Sequence, residues 1–271
     1  MRWRVENIDF SRIDVQRAAA NEDLMLLLCA ASFVESGSEL YSHTLIDFFD
    51  GDDDFCVWLR DDWEAEELQH GRALKAYVGA VWPDFDWDAF FTEFFAEYAQ
   101  TCSREQLEKT RARELVARCV IETGTSSLYR TISQCAEEPV LAELAGRIHA
   151  DEVHHYKVFY QNFKRYNQTE RLGRYAVFRA LLRRSLEIRN EDEEIAMRHV
   201  LAARYPGRAN DPEFNARRIE RVSQLVMRGL PVDMSVKMMI KPLDLPAGVQ
   251  RGLLAAAGWA AGPLSRFLFS R

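Results

Sequence analysis

The chain has 271 residues, of which 48% are hydrophobic and 11% aromatic, enough apolar material for one large folded domain or two small ones. A formal net charge of -7 argues against a general nucleic-acid-binding protein, whose footprint is basic. The five cysteines are far apart and odd in number, a pattern typical of reduced thiols in a cytoplasmic protein and not of a disulfide framework.

Helical periodicity dominates the sequence. Long windows carry apolar residues at i, i+3, i+4 and i+7, whereas strand-like alternation flanked by turn signals is scarce. The sequence therefore predicts an all-α protein. In chain order, the predicted helices cover about 12–48, 55–81, 86–101, 104–135, 138–166 and 171–188, with shorter helices near 191–204 and 211–228.

The two ends of the chain differ from its middle. The segment MRWRVENIDF (1–10) has no apolar region and no small-residue cleavage site, so we predict a cytoplasmic protein without a secretory signal. Glycine and proline become more frequent beyond about residue 205, which predicts a helical bundle over 1–190 and a C-terminal helical appendage over 191–271 packed on it. The apolar stretch 252–264 is shorter than the ~20 residues of a transmembrane helix. We expect this stretch to pack against the protein, with association with a membrane surface as the alternative.

Two Glu-x-x-His pairs stand out among the predicted helices. The segment EELQHG (66–71) contains Glu67 and His70, and DEVHHY (151–156) contains Glu152 and His155. Residues three apart share one helix face, with Cβ atoms about 5–6 Å apart, so each pair is able to supply two ligands to one metal ion. One such pair alone is more often surface decoration, because the spacing arises easily by chance.

The helix faces distinguish these pairs from their neighbours. Helical steps through Glu152 and His155, and through Glu67 and His70, otherwise meet apolar side chains. Asp151 and His154 share a face with polar residues, which predicts a position facing solvent or behind the ligands. Glu66 lies in line with Asp62 and Gln69, a wetter face. We interpret the aromatic members of the apolar stripes as core packing: Trp63, Tyr77, Tyr129 and Phe159.

Two single glutamates complete the pattern. Glu122 lies in the apolar context CVIETGTSSLYRTI, and Glu35 shares a helix face with Leu28 and Ile46, although Glu39 competes with it. A buried carboxylate is costly unless it is paired or binds a metal. Four helices thus offer Glu, Glu-x-x-His, Glu and Glu-x-x-His in order, the inventory of di-iron and di-manganese carboxylate bundles. This set of hard oxygen and nitrogen ligands suits iron or manganese.

Two longer frames resemble the metal-binding helices of the soluble acyl-carrier-protein desaturases, members of the ferritin-like superfamily. These frames are WEAEELQHG (63–71) and ADEVHH (150–155), and the likeness extends over about residues 20–190. The resemblance implies a ferritin-like four-helix bundle with additional helices. It also implies six metal ligands: Glu35, Glu67, His70, Glu122, Glu152 and His155.

The same resemblance assigns three further points. ESGSELY (35–41) places the ligand glutamate six residues before a tyrosine, which favours Glu35 over Glu39. ETGT (122–125) places Thr125 beside the oxygen-binding side of the cluster. Asp151, directly before a ligand glutamate, takes the place of a residue that hydrogen-bonds a ligand histidine, as metal-bound histidines generally require.

The activity implied by the resemblance is desaturation of a fatty acyl chain held on an acyl carrier protein, with two iron ions as cofactor, or manganese in their place, and O2 as co-substrate. No G-x-G-x-x-G motif is present, so we expect a ferredoxin-like electron donor. A homodimer fits the family. A basic region is complementary in charge to an acidic carrier protein: Lys157, Lys164, Arg165, Arg171, Arg174, Arg179, Arg183, Arg184 and Arg189, against Glu170 and Glu187.

Three alternatives stay open. The first is a di-iron oxygenase or oxidase acting on a free fatty acid, an amine or another small metabolite, because a fold does not fix a function. The second is a ferritin-like iron oxidation or storage protein, which the long C-terminal region disfavours. The third is a helical scaffold without metal.

Overall fold

The computed structural model describes residues 2–187 and 192–256. Within these residues the regular elements are helices, which confirms the all-α prediction. The α-helices are α1 (Val15–Ala19), α2 (Glu22–Ser36), α3 (Ser38–Phe48), α4 (Asp53–Trp58), α5 (Ala65–Val81), α6 (Trp87–Tyr98), α7 (Arg111–Cys135), α8 (Pro139–Glu170), α9 (Arg174–Glu187), α10 (Asp192–Arg204), α11 (Pro212–Arg228) and α12 (Val232–Ile240). A π-helix (Leu59–Glu64) joins α4 to α5, and residues 247–256 are also helical. Short 3-10 helices lie at Val5–Asn7, Phe10–Arg12, Arg104–Gln106, Pro206–Arg208 and Lys241–Leu243.

The prediction of one continuous helix over 12–48 is wrong, because this segment forms three helices, α1, α2 and α3. Asn21 begins α2, because its side-chain oxygen accepts a hydrogen bond from the backbone N–H of Leu24 at 3.0 Å. Gly37 separates α2 from α3 where the ring of Tyr98 packs closely, and a Cβ at this position would lie 3.1 Å from that ring. Periodicity alone does not reveal such a break.

Four long helices form the bundle around the centre of the protein. α7 packs along α8, α2 packs along α5, and α5 also contacts α8. α7 and α8 are antiparallel, because Ser133 bonds the carbonyl of Ala142 while Ser126 accepts from His149 further along both helices. Glu138 begins α8 by accepting hydrogen bonds from the first backbone N–H groups of that helix.

Two hydrophobic clusters flank the middle of this bundle. One contains Trp3 with much of α2, α5 and α10, and the other contains Trp58 and Phe159 with the π-helix, α7, α8 and α9. The Trp3 ring stacks near His70, and the Trp58 ring contacts that of His155. The region between the clusters is therefore where the polar side chains of the bundle are buried.

The C-terminal helices lie against the bundle. α10 buries Ala196 and Val200 in the same cluster as α2, Arg221 of α11 pairs with Asp23 at 2.9 Å, and Ser235 of α12 hydrogen-bonds Ser127 at 2.7 Å. The division into a bundle and an appendage stays a prediction. The prediction for 252–264 falls largely outside the described residues.

One stretch among the described residues, Glu22–Phe48, is long and apolar enough to cross a membrane by length and composition. It is broken at Gly37, and 56% of its most apolar window is buried inside the protein. A core helix of a bundle meets the same criteria, so this stretch is weak evidence for a membrane span. The cytoplasmic location stays a prediction.

Candidate metal centre

The six predicted ligands lie together in the interior of the bundle, between the two hydrophobic clusters. α2, α5, α7 and α8 each contribute at least one of them, which is why the signals are distributed over more than a hundred residues of sequence. All six side chains are buried: Glu35 on α2, Glu67 and His70 on α5, Glu122 on α7, and Glu152 and His155 on α8.

Their donor atoms form two overlapping sets. In each set the donor atoms lie within 4.8 Å of one another. One set consists of Glu35, Glu67, His70 and Glu152, and the other of Glu67, Glu122, Glu152 and His155. Glu67 and Glu152 belong to both sets, whereas each set has one histidine and one further glutamate of its own.

The histidine rings point the same type of nitrogen at the carboxylates. Nδ1 of His70 lies 3.1 Å from Oε1 of Glu152 and 3.8 Å from Oε2 of Glu35. Nδ1 of His155 lies 3.0 Å from Oε1 of Glu67 and 3.6 Å from Oε2 of Glu122. Each Nδ1 thus faces two carboxylate oxygens across a distance that one metal ion is able to span.

Hydrogen bonding shows that a cation fits this centre. Four buried candidate ligand atoms make no hydrogen bond among the described residues, although atoms of opposite charge lie near them: Nδ1 of His70, Nδ1 of His155, Oε2 of Glu122 and Oε1 of Glu152. Buried polar atoms without partners are costly, and metal coordination removes that cost. Two divalent ions also neutralise the four carboxylates. The ligand types match iron or manganese.

The other nitrogen of each histidine is held from behind by an acidic residue. Nε2 of His70 lies 3.1 Å from Oδ2 of Asp151, and Nε2 of His155 lies 2.9 Å from Oε2 of Glu66. These contacts fix which ring nitrogen faces the centre, as hydrogen bonds behind metal-bound histidines do. The same Oδ2 of Asp151 accepts a 2.6 Å hydrogen bond from the indole of Trp3.

Glu66 corrects the interpretation of its helix face. The sequence predicts a wetter face for Glu66, but the side chain is only 4% exposed, and Gln69 on the same face is also buried. The reason is that α8 covers this side of α5, so the face meets a second helix and not water. Trp3 lies outside every predicted helix, and an isolated aromatic residue in the first ten positions carries no signal for such a role.

The protonation of the metal-free centre follows from burial and from the close charges. Burial disfavours the charged forms of His70 and His155, but each ring donates to an acidic residue behind it and faces further carboxylates, which raises the pKa of both rings well above the ordinary value. Burial raises the pKa of Glu122 to about 8, although its hydrogen bond with His155 acts in the opposite direction. The pKa of Glu67 is raised by burial and by the negative charges of two neighbouring carboxylates. The pKa of Glu152 is lowered despite its burial, because both histidines bond to it. The metal-free centre therefore retains protons that a metal ion displaces.

Two hydroxyl groups contact the ligands directly. Oγ1 of Thr125 donates to Oε2 of Glu152 at 2.9 Å, and the phenol of Tyr129 donates to Oε1 of Glu35 at 2.5 Å. Tyr129 therefore hydrogen-bonds a ligand candidate, whereas the sequence predicts only a packing role for it. The signal was available, because Tyr129 lies seven residues after Glu122 on the same helix face. Glu39, the alternative to Glu35, is exposed.

Local backbone features bring α5 to the centre. The π-helix directly before α5 is an uncommon conformation that recurs at functional sites. Gly71, next to His70, lets α2 approach closely, because a Cβ there would lie 2.7 Å from the backbone nitrogen and 2.8 Å from the Cα of Ser36. This close approach holds Glu35 beside His70.

Residues 11–190 match the model of the family described as fatty acid desaturase. The chain belongs to the fatty acid desaturase family. The matched residues include all six ligand candidates of the centre. Desaturation removes hydrogen from a substrate, so membership of the desaturase family implies an oxidoreductase. A comparison with curated proteins gives no match.

Proposed function

We propose that this member of the fatty acid desaturase family is a di-iron, O2-dependent oxidoreductase that introduces a double bond into a fatty acyl chain held on an acyl carrier protein. The observation that carries the proposal is the pair of four-donor sets that share Glu67 and Glu152. This arrangement is that of a two-metal carboxylate centre within a helical bundle. The family match supplies the reaction class and the substrate class.

A bound pair of iron ions supplies the redox chemistry with O2 that removal of hydrogen from an unactivated carbon requires, and manganese is the alternative metal. The protein contributes ligands and a buried setting. Glu67 and Glu152 belong to both donor sets and would hold both ions, and Asp151 and Glu66 orient the two histidines. Both hydrophobic clusters exclude water from the ends of the centre.

Thr125 is the polar group at the edge of this centre. Its side chain is only partly buried, whereas the six ligands are buried, and its hydroxyl donates to the bridging candidate Glu152. The hydroxyl is therefore able to hold or transfer a proton next to the centre without being a ligand. We assign Thr125 this proton-handling role and Asp151 a positioning role.

An exposed face of α9 suits an acidic carrier protein. Four large apolar side chains follow one another along the outside of this helix: Tyr175, Phe178, Leu182 and Leu186, with exposures of 74%, 48%, 48% and 59%. We call them the α9 stripe. Exposed apolar patches with basic borders are typical of protein-binding surfaces. Arg179 beside the stripe is exposed and has no acidic partner within the described residues, and Arg171 likewise.

Several cations of the predicted basic region serve the fold instead. Arg165 pairs with Asp52, and Arg174 donates to the backbone oxygens of Leu243 and Asp244. Arg189 lies outside the described residues. The proposed docking surface is therefore the α9 stripe with its neighbouring arginines. A ferredoxin-like protein is the proposed electron donor, since a two-electron oxidation by O2 requires two further electrons to form water.

A second candidate is a di-iron oxygenase or desaturase of a free fatty acid. It is favoured by a buried arginine, Arg118, one helical turn from Glu122. A buried cation close to the centre suits a substrate with an oxygen-containing end group more than a purely apolar chain segment. The two candidates share the metal centre and differ in the substrate that reaches it.

The test is a product assay with the iron-reconstituted protein, reduced ferredoxin, O2 and either saturated acyl carrier protein thioesters or free fatty acids. The proposal predicts products two hydrogens lighter, formed only from the thioesters and only with all components present. Products from the free acids alone support the second candidate. Iron-dependent O2 consumption without an altered acyl chain would refute both.

A further inference from the structure

One face of α7 carries a polar side chain on each of five successive turns. Three of these residues belong to the centre: Glu122 is a ligand candidate, Thr125 bonds Glu152, and Tyr129 bonds Glu35. The two residues that precede them on this face, Glu114 and Arg118, are buried as well. Neither residue belongs to a donor set of the centre.

Arg118 is fixed on one side of its guanidinium group. Its side chain is 3% exposed, its Nε donates to Oε1 of Glu114 at 3.1 Å, and its central carbon lies 4.2 Å from the ring centroid of Tyr41. Glu114 is itself held by the Tyr41 hydroxyl at 3.1 Å and by the backbone N–H of Glu108 at 2.8 Å. The guanidinium orientation is therefore determined by its surroundings.

A second nitrogen of the guanidinium group has an unused donor. Nη2 of Arg118 is buried and has no hydrogen-bond partner among the described residues. A buried donor without an acceptor is costly, whereas an acceptor supplied by a ligand removes that cost. The Glu114 carboxylate already balances the charge of Arg118, so the free donor is able to bind a neutral carbonyl as well as a carboxylate.

The position of this donor relates it to the substrate. Arg118 precedes Glu122 by four residues, and side chains at this spacing have Cβ atoms about 6 Å apart. A second buried hydroxyl without a partner, Ser38 Oγ, lies on α3 one turn before Tyr41 on the same face. The contact of Arg118 with Tyr41 thus lies between α7 and α3, one helical turn from the ligand candidate Glu122.

We propose that Nη2 of Arg118 binds an oxygen atom at the polar end of the acyl substrate, the carboxylate of a free acid or the carbonyl of a thioester. This inference rests on the proposed function. It makes Arg118 a specificity-determining residue, because an oxygen held one turn from Glu122 directs the carbons next to the polar end toward the centre. The double bond then forms near the carboxyl end of the chain and not in its middle.

The test compares binding of three probes to the iron-reconstituted full chain under anaerobic conditions, by titration calorimetry. The probes are octanoyl-N-acetylcysteamine thioester, the octyl thioether that lacks only the carbonyl oxygen, and octanoate. We expect the thioester, octanoate or both to bind about tenfold or more tightly than the thioether, the effect of one charge-assisted hydrogen bond. Preference for octanoate alone identifies a free acid as the source of the oxygen.

Arg118→Lys is the matched variant. It retains the positive charge for Glu114 but has a single nitrogen and no group at the Nη2 position, so we expect it to bind all three probes about equally. Equal binding of thioester, octanoate and thioether by the unaltered protein would overturn the inference, and so would a preference that survives in Arg118→Lys. If the variant does not fold, the probe preference of the unaltered protein still decides. Iron content and O2 consumption, measured separately, show whether the proposed function itself fails.

Discussion

At the scale of single residues, the centre combines groups that are unfavourable in isolation. Four buried carboxylates face two buried imidazoles, and several of their donor atoms have no partner within the described part of the chain. Bound metal ions would make this arrangement stable, because coordination would replace the hydrogen bonds that burial removes. Metal affinity is therefore the property most sensitive to these residues.

Glu35 and Glu39 form a matched pair for testing the ligand assignment. Glu35→Ala removes a member of one four-donor set, so we expect iron affinity to fall by more than about tenfold. Loss of a residue that only hydrogen-bonds a ligand already lowers metal affinity by about tenfold or more. Glu39→Ala alters an exposed side chain and should leave affinity unchanged. Anaerobic iron titration of both variants measures the difference. Equal affinities in the two variants would remove Glu35 from the ligand set.

The raised pKa values predict that metal binding depends on pH. The pKa of Glu122 is raised to about 8, and the histidine pKa values are also raised, so the metal-free centre holds protons at neutral pH. Bound metal requires deprotonated ligands, so apparent affinity should rise as pH increases through about 8, with proton release. Calorimetry in two buffers of different ionisation enthalpy measures the released protons. A metal affinity that does not change between about pH 6 and pH 8 would contradict this description of the centre.

At the scale of helices, Gly71 is a point of close contact between α2 and α5. We expect Gly71→Ala to lower the free energy of unfolding by roughly 1–3 kcal/mol, because its Cβ would overlap the backbone of Ser36. Gly79→Ala on the same helix is the control, since no atom lies within 4 Å of its added Cβ, and alanine should stabilise there by up to about 1 kcal/mol. Denaturant unfolding of both variants measures the changes. A Gly71→Ala protein as stable as the control would show that the approach is not tight.

Helix faces account for what the sequence could predict about the centre. A Glu-x-x-His pair within an apolar stripe identified Glu67, His70, Glu152 and His155 without knowledge of the fold, because periodicity within one helix is local information. The burial of Glu66 depends on where α8 lies relative to α5, which is not local. The same holds for the π-helix and for the break at Gly37, whose causes are contacts with distant residues.

The positions of Arg118 and Trp3 could not be predicted from the sequence, for two different reasons. Arg118 lies four residues before Glu122 on the same helix face, but an arginine is seldom buried unless it is paired, so the sequence alone does not indicate its burial. Its burial becomes intelligible only with Glu114 and Tyr41 beside it. Trp3 reaches Asp151 across 148 positions of sequence, and no periodicity connects the two residues.

At the scale of the whole molecule, the α9 stripe is the docking surface that we propose for an acyl carrier protein. Arginines beside it would repel a second copy of the same surface and attract an acidic protein. The expected homodimer therefore requires another surface, and dimerisation stays a prediction.

Leu182 and Val57 test this surface at matched exposure, 48% and 47%. Leu182→Glu places a like charge against an acidic carrier protein in the middle of the stripe, so we expect its binding to weaken by about tenfold or more. Val57→Glu on α4 should bind as the unaltered protein does. Surface plasmon resonance with immobilised acyl carrier protein at two ionic strengths measures both variants. Equal affinities for the two variants would exclude the stripe as the docking surface.

The central claim is a two-metal centre with shared carboxylates, and metal stoichiometry tests it most directly. After anaerobic reconstitution with ferrous iron and removal of excess metal, elemental analysis should give about two iron ions per chain. Glu67→Ala, which removes a residue common to both donor sets, should retain neither ion tightly. Iron absent from the reconstituted protein, or fully retained by Glu67→Ala, would contradict the account.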